Sequence, residues 1–142
     1  MSQANVEVVR RNYEALSRGD LDAWLESVRE DAELHEVSDI PDSAVYRGHE
    51  EIRRWAQSLL QLVSEWCWTP EEFIYQGDAA VLVRARMTAR SAGGGVPLEQ
   101  VAFHLIELQD GEIVCLRGFL DREEALEAVG PSELSEGVQP DR

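Results

Sequence analysis

The chain has 142 residues, of which 44% are hydrophobic. That length supports one sizeable core but not two ordinary domains, so we expect a single domain over residues 1–130 and a polar, mobile tail over residues 131–142. Asp and Glu total 28 against 13 Lys and Arg, which gives a formal net charge of −15. This charge opposes binding to nucleic acid and to anionic membrane surfaces, and both are excluded as expected partners.

The sequence carries no signal for secretion or membrane insertion. The N-terminal Met-Ser-Gln-Ala-Asn lacks a basic region followed by an apolar run, and no stretch approaches the roughly 18 consecutive apolar residues that cross a bilayer. Cys67 and Cys115 lie far apart and outside any CxxC spacing, so we interpret both as small core residues. These features predict a reduced, cytoplasmic, soluble protein.

Three helices are predicted in the first half of the chain. The first carries an apolar stripe at three- and four-residue spacing: Val6, Val9, Tyr13 and Leu16. Gly19 can end this helix and Asp20 can cap the second, whose apolar face consists of Leu21, Trp24, Leu25 and Val28. A short strand over residues 32–37, a loop over residues 39–48 and a third helix over residues 50–64 complete this half.

Four strands are predicted in the second half of the chain, over residues 66–75, 79–90, 96–108 and 112–120. Turns connect them as hairpins, at Gly77-Asp78, Gly93-Gly94-Gly95 and Asp110-Gly111, so the sheet is predicted to be antiparallel. A short helix, capped by Asp121, follows as far as residue 129. The chain is therefore predicted to be α+β.

Strand alternation separates the two faces of the sheet. On the third of these strands, one face carries Ala102, His104, Ile106 and Leu108, and the other carries Val101, Phe103, Leu105 and Glu107. The second face is extended by Ile113, Cys115 and Phe119. Because both faces are largely apolar, the second needs a cover. A homodimer through the outer sheet face is the simplest cover, and loops or the tail of the same chain are the alternative.

Short motifs stand in a recognisable order along these helices and strands: Gly19-Asp20, Asp31-Ala32, Tyr46-Arg47-Gly48 and Asp121-Arg122-Glu123-Glu124-Ala125-Leu126. Over about residues 5–130 this order resembles the SnoaL-like branch of the nuclear-transport-factor-2-like superfamily. The resemblance implies a curved, cone-like antiparallel sheet and three helices from the N-terminal half that enclose one pocket, with a short C-terminal helix. Relatives commonly pair through the outer sheet face, which adds to the expectation of a homodimer.

The resemblance also implies two catalytic residues. The motifs at residues 19–20 and 31–32 are similar to those of ketosteroid isomerase, and they place Glu36 where that enzyme keeps its proton-abstracting aspartate. Counting back from the Asp110-Gly111 turn places His104 at the isomerase's neutral oxyanion-binding acid, where SnoaL-type polyketide cyclases have a histidine. A carboxylate in apolar surroundings gains basicity, and an imidazole can donate a hydrogen bond to a developing enolate oxygen. The pair suits removal of a proton next to a carbonyl group.

The chain departs from both catalytic patterns. The isomerase's tyrosine donor on the third helix corresponds to Ala56, and the cyclases' catalytic aspartate on the last strand corresponds to Gly118. Asn12 occupies the isomerase's main tyrosine site, with Tyr13 one position away, so that role is not carried over. Neither known set of catalytic groups is complete in this sequence.

The predicted pocket walls are mostly apolar and aromatic residues of the helices and of the inner strand face. We expect ligand contacts from Tyr13, Trp24, Val28, Trp55, Leu59, Val83, Met87, Ala102, Leu116, Gly118 and Leu120. Trp66 and Trp68 share one strand face, which leaves open whether they line the pocket or a dimer interface. Neither His35 nor His49 forms a ligand spacing with His104, so no metal is expected, and the implied chemistry needs no cofactor.

Three functions remain compatible with the sequence. The first is a cofactor-independent isomerase, cyclase or dehydratase that acts on a small hydrophobic carbonyl compound through Glu36 and His104. The second is a non-catalytic protein that binds a small hydrophobic ligand in the same pocket, and the third is a dimeric accessory protein without a physiological ligand. Limonene-epoxide-hydrolase chemistry is disfavoured because no Asp-Arg-Asp set lies on the predicted pocket faces.

Overall fold

A computed structural model describes residues 3–35, 45–93 and 95–129 of the chain. In these ranges the helices are α1 (Gln3–Ser17), α2 (Leu21–Glu26), α3 (Gly48–Leu62) and α4 (Arg122–Val129). The strands are β1 (Val28–His35), β2 (Val45–Arg47), β3 (Val63–Gln76), β4 (Ala80–Ser91), β5 (Pro97–Gln109) and β6 (Glu112–Phe119). None of the helices is long and apolar enough to cross a bilayer.

The strands form one curved, unclosed sheet in the order β2-β1-β6-β5-β4-β3. Neighbouring strands are antiparallel except β1 and β6, which pair parallel with Leu34 opposite Leu116. This pair departs from the wholly antiparallel sheet predicted from the hairpins, because β1 and β6 come from opposite ends of the chain and no hairpin joins them. The α+β class and the cone-like sheet are confirmed.

The junction between α1 and α2 forms as the sequence predicts. Gly19 adopts a positive φ of 73° and ends α1, a conformation that glycine reaches without steric cost. The Asp20 carboxylate accepts a hydrogen bond from the backbone N–H of Ala23 at 3.1 Å, which caps α2. The second helix is nevertheless shorter than predicted: it ends at Glu26, and Val28 begins β1, where it pairs with Ile113 of β6.

The segment before α3 differs most from its prediction. The first strand begins at residue 28 and not at 32, and residues 45–47, predicted as part of a loop, form β2 along the edge of β1. A strand of three residues is too short to show an alternating pattern, and its pairing with β1 stabilises it. Glu36, most of the predicted loop and the predicted tail lie outside the described residues.

The inner face of the sheet packs under α1, α2 and α3. Its buried core joins the apolar stripes of these helices to the inward residues of β1, β4, β5 and β6. The fully buried residues of this core include Val9, Ile52, Val81, Val83 and Ile113. Ile113 was predicted on the opposite face, but a register shift between Glu107 and Leu108 changes the alternation and turns it inward.

The apolar part of the outer face is covered within the monomer by α4. Ala125 and Val129 of this helix pack with the outward side chains of four strands: Tyr75, Leu82, Phe103, Leu105 and Phe119. This arrangement corresponds to the alternative that the same chain covers the second face, although the cover is α4 and not a loop or the tail. The apolar surface therefore does not require a second copy, and homodimerisation through this face stays a prediction.

Ion pairs occupy the rest of the outer face. Arg84 and Arg86 of β4 both reach Glu71, and Arg117 of β6 reaches Glu107 at 2.6 Å. These arginines of β4 thus lie on a partly exposed face and balance local acid. Each ion pair is partly exposed, so it adds little to stability, but together the pairs keep this face solvated.

The two cysteines do not share one environment. Cys67 is exposed on the edge strand β3, so its prediction as a core residue was wrong, because no element covers that side of the strand. Cys115 is partly buried, and burial raises the pKa of its thiol above the usual value. The thiol of Cys115 is therefore less ionised at neutral pH than that of a solvated cysteine.

A buried hydrogen-bond cluster joins α1 to α2. The amide of Asn12 donates to the Trp24 carbonyl at 2.9 Å and to the Ser27 hydroxyl at 3.1 Å. Its carbonyl oxygen accepts from the Trp24 indole N–H at 3.0 Å. Asn12 and Trp24 are 5% and 2% exposed, so water cannot replace these bonds without reopening the core.

We expect Asn12→Ala to lower the free energy of unfolding by about 2–3 kcal/mol, because it leaves the buried Trp24 indole N–H without its partner and removes the Asn12 hydrogen bond to the Trp24 carbonyl. Urea denaturation followed by tryptophan fluorescence measures this loss. Arg11→Ala, on the exposed side of the same helix, is the matched control and should change stability by less than about 0.5 kcal/mol. Equal stability of the two variants would contradict a structural role for the cluster.

Candidate active site

The site is organised around His104 on the inner face of β5. Its cross-strand neighbours are Val83 of β4 and Gly118 of β6. Val83 is fully buried, whereas Gly118 has no side chain and stays partly exposed. The sheet therefore closes one side of the imidazole with a packed residue, and on the other side Gly118 adds no side chain.

Tyr13 reaches His104 from α1. Its hydroxyl oxygen lies 2.7 Å from the imidazole Nδ1, and the two rings are nearly parallel, at an interplanar angle of 21°. Tyr13 is 4% exposed, and its only hydrogen-bond partner among the described residues is this nitrogen. Residues 91 positions apart in the chain are thus joined by one short hydrogen bond.

Trp68 encloses the imidazole from β3, with ring centroids 4.9 Å apart. Ser17 of α1 fixes this strand to the helix: its hydroxyl accepts from the backbone N–H of Trp68 at 2.8 Å and donates to its carbonyl at 3.0 Å. The neighbouring Trp66 donates its indole N–H to the Leu16 carbonyl at 2.9 Å. Trp66 and Trp68 therefore both contact elements on the inner side of the sheet.

The aromatic surroundings keep both polar groups neutral. Burial lowers the pKa of His104 to about 4, and none of the described charged side chains contributes to that shift. Burial also raises the pKa of Tyr13 well above its usual range. Desolvation disfavours the charged form of each group, so at neutral pH the site presents an uncharged imidazole and an uncharged phenol.

One nitrogen of His104 remains available. Nδ1 is used by Tyr13, whereas Nε2 has no hydrogen-bond partner in residues 3–35, 45–93 or 95–129. The side chain also keeps part of its surface accessible. The imidazole can therefore form a further hydrogen bond to a bound molecule through Nε2.

The other predicted wall residues separate into two groups. Trp24, Val28, Val83 and Ala102 are at most 4% exposed and pack in the closed core, so they offer a ligand almost no surface. Partly exposed residues are Met87, opposite Trp68 on the inner face, and Leu116, which packs against the core from β6. Leu120 lies beyond the end of β6 and is 40% exposed.

Trp55 and Leu59 lie in a groove between α3 and β2. Its volume is about 430 Å³, and its lining consists of Val45, Tyr46, Glu51, Arg54, Trp55, Ser58 and Leu59. The rings of Tyr46 and Trp55 meet there with centroids 6.3 Å apart. The structure thus places these two predicted wall residues on an open groove.

A family model of the SnoaL-like domain matches residues 9–116. The chain belongs to the SnoaL-like domain family. The family assignment drawn from the sequence motifs is therefore confirmed. No curated protein sequence matches this member of the family significantly.

Solved structures show the same fold. An NTF2-like protein of unknown function from Burkholderia pseudomallei is 22% identical, with 92% of this chain and 100% of that chain covered at a TM-score of 0.73. A proposed SnoaL-like polyketide cyclase from Jannaschia is also 22% identical, with 92% and 97% covered at 0.73. TerC, co-crystallised with polyporic acid, is 19% identical, with 91% and 100% covered at 0.72. At these identities the likeness concerns the fold alone.

Sequence reasoning identified His104 but missed its partners. Tyr13 was expected as a wall residue without a chemical role, and Trp68 was left undecided between two surfaces. Ala56 is 1% exposed in the core, so it leaves no donor at the position of the isomerase's third-helix tyrosine. Within the described residues no three His, Cys, Asp or Glu side chains gather to hold a metal ion.

The depressed pKa of His104 predicts a pH-dependent stability. Between about pH 6.5 and 4 the unfolded chain binds a proton at this histidine that the native state does not, so stability falls as pH falls through this range. Between pH 7 and 4.5 we expect wild type to lose on the order of 1–3 kcal/mol more than His104→Gln. The lowered pKa values of Glu71 and Glu72, which are hydrogen-bonded to Arg86 and Arg122, affect wild type and His104→Gln equally and cancel in the comparison.

Urea denaturation at half-unit pH intervals measures the difference. His35→Gln, a change of the same kind on an outer-face histidine bonded to Glu33, is the control and should keep the wild-type pH dependence. Parallel pH profiles for wild type and His104→Gln would show that His104 is not held neutral by burial.

Proposed function

We propose that this SnoaL-like protein is a cofactor-independent isomerase, cyclase or dehydratase that acts on a small hydrophobic carbonyl compound. The proposal rests on the uncharged His104, which is enclosed by Tyr13 and Trp68 and whose Nε2 has no hydrogen-bond partner among the described residues. A neutral donor in apolar surroundings stabilises negative charge that develops on an oxygen atom, and it does so more strongly than in water.

The substrate class follows from the same surroundings. The groups around His104 are aromatic or apolar, and neither His104 nor Tyr13 is charged at neutral pH. A charged ligand would lose its hydration here without gaining an opposite charge, so an uncharged ketone or quinone is favoured. Polyporic acid, the compound with which TerC was co-crystallised, serves as a separate binding probe.

The reaction needs a base beside this donor. We assign that role to Glu36, as the resemblance to ketosteroid isomerase implies. The carboxylate would remove the proton next to the carbonyl while His104 stabilises the enolate oxygen, and the proton would return at another carbon or the enolate would close a ring or expel a leaving group. Atoms and charge balance in each case without a cofactor.

Deuterium exchange tests the proton transfer without knowledge of the natural substrate. We expect the protein to accelerate the loss of α-proton NMR signals from bicyclic ketones such as 2-tetralone in D2O. Glu36→Gln and His104→Gln should each lower that acceleration by about 10²-fold, the usual contribution of a general base or an oxyanion donor. His35→Gln, at a partly exposed residue, and Glu123→Gln, at an exposed residue of α4, are controls with the same substitutions and should keep it.

Calorimetric titration with polyporic acid and with the same ketones separates catalysis from binding. Binding together with exchange that depends on both residues supports the enzyme. Binding that His104→Gln weakens, without any accelerated exchange, would overturn catalysis and favour a non-catalytic ligand-binding protein. If the protein shows neither binding nor accelerated exchange, the result would overturn catalysis and favour the dimeric accessory protein without a ligand.

A further inference from the structure

We infer that Tyr13 is the positioning residue that fixes His104 as a hydrogen-bond donor at Nε2, so that His104 acts on an oxygen atom of the ligand and not as the base. This inference deepens the proposed function and rests on it for its chemical meaning. It concerns a property of the ligand-free protein, however, that can be measured without any substrate.

The position of the Tyr13 phenol hydrogen follows from the acceptor that it meets. A hydroxyl group has one hydrogen to donate, and a buried donor without an acceptor is costly. Tyr13 is almost completely buried, and Nδ1 of His104 is its only hydrogen-bond partner in the described parts of the chain. The phenol must therefore donate to Nδ1, since accepting from it would leave the phenol hydrogen unpaired.

The hydrogen bond from Tyr13 determines the tautomer of His104. A neutral imidazole carries one proton, on either Nδ1 or Nε2. If Nδ1 accepts the hydrogen bond of Tyr13, the proton must be on Nε2, which has no partner in residues 3–35, 45–93 or 95–129. Nε2 therefore presents an N–H group to a bound molecule and has no lone pair with which to remove a proton.

The same hydrogen bond stabilises the neutral imidazole with its proton on Nε2. Protonating His104 would place a hydrogen on Nδ1 as well, and the phenol would have to rotate its hydrogen away from its only acceptor. The hydrogen bond of Tyr13 therefore opposes protonation in addition to burial. In the described parts of the chain, the rings that contact the imidazole are those of Tyr13 from α1 and Trp68 from β3, and neither brings a charge.

The helix makes this arrangement rigid. Along α1, Asn12 precedes Tyr13 and is bonded to α2, and Ser17 follows one turn later and is bonded to β3. The phenol is thus held between two anchored turns and cannot leave Nδ1 without moving the helix. Such support is what fixes the orientation and tautomer of a histidine in a functional site.

Long-range ¹H–¹⁵N NMR of the uniformly ¹⁵N-labelled full-length protein tests the inference at pH 7. Protonated and unprotonated imidazole nitrogens resonate in separate regions, and His104→Gln assigns the signals. We expect a single neutral tautomer in wild type, with the proton on Nε2. A wild-type His104 that is cationic, protonated at Nδ1 or a mixture of tautomers would overturn the inference, whatever the variants do.

Tyr13→Phe then tests the cause. Without the phenol hydrogen bond we expect both nitrogen signals to move to intermediate positions, as a mixture of tautomers forms, and the pKa of His104 to rise. Tyr75→Phe is the matched control, because it also removes a buried tyrosine hydroxyl, but on the outer face beneath α4. Unchanged His104 signals in a folded Tyr13→Phe variant would show that Tyr13 only packs against the ring.

The same two variants distinguish this inference from the proposed function. We expect Tyr13→Phe to slow deuterium exchange of 2-tetralone about tenfold and Tyr75→Phe to leave it unchanged. If wild type shows the expected tautomer but no accelerated exchange, the tautomer assignment stands and the proposed enzyme fails. If exchange is accelerated but His104 is protonated at Nδ1, the enzyme stands and Tyr13 does not set the donor.

Discussion

The placement of α1 over the inner face of the sheet is the constraint on which the rest of the structure depends. Four inward polar side chains hold this helix, and each bonds a different part of the fold. Asn5 donates to the carbonyl of Asp78 in the β3–β4 turn, Asn12 bonds α2, Tyr13 bonds β5 and Ser17 bonds β3. Because every bond is directional, the helix cannot slide or rotate on the sheet without breaking several at once. Apolar packing alone would tolerate such movements.

The two faces of the sheet carry different kinds of polar groups. The inner face holds the neutral imidazole and phenol, while the outer face holds the apolar contacts of α4 and ion pairs such as that between Arg117 and Glu107. Opposite charges on the wet face cost little, whereas a single charge beside His104 would change its protonation. Although the protein has a net charge of −15, the described side chains in ring contact with His104, Tyr13 and Trp68, are uncharged.

Local patterns in the sequence were sufficient for the features that depend on neighbouring residues. The hairpin turns located β3 to β6, and Gly19 with Asp20 located the α1–α2 junction, because turn and capping chemistry act over a few positions. Features that depend on distant pairing were not accessible in the same way. The strand β2 exists only beside β1, and the shift after Glu107 that turns Ile113 inward is a property of two strands together.

In the candidate site, too, the local features could be predicted from the sequence and the distant contacts could not. The face of His104 followed from alternation along β5, but its bond to Tyr13 spans 91 positions and requires a particular rotation of α1. Helical spacing placed Tyr13 on the inward stripe, and that stripe was explained by packing alone. A tyrosine differs from the valines beside it by one hydroxyl, and whether that hydroxyl has a chemical role depends on the atom it meets in the fold.

The neutral pair of His104 and Tyr13 favours one chemical role for the imidazole and excludes another. An imidazole whose Nδ1 accepts from a phenol can stabilise an oxygen that gains negative charge, but it cannot itself take the proton whose loss creates that charge. The low pKa of His104 leads to the same result, since a weakly basic nitrogen is a poor proton acceptor at neutral pH. In the proposed function the base is the carboxylate of Glu36, so the donor and the base are separate groups. A SnoaL-like domain that kept the donor and lost the base would bind carbonyl compounds without converting them.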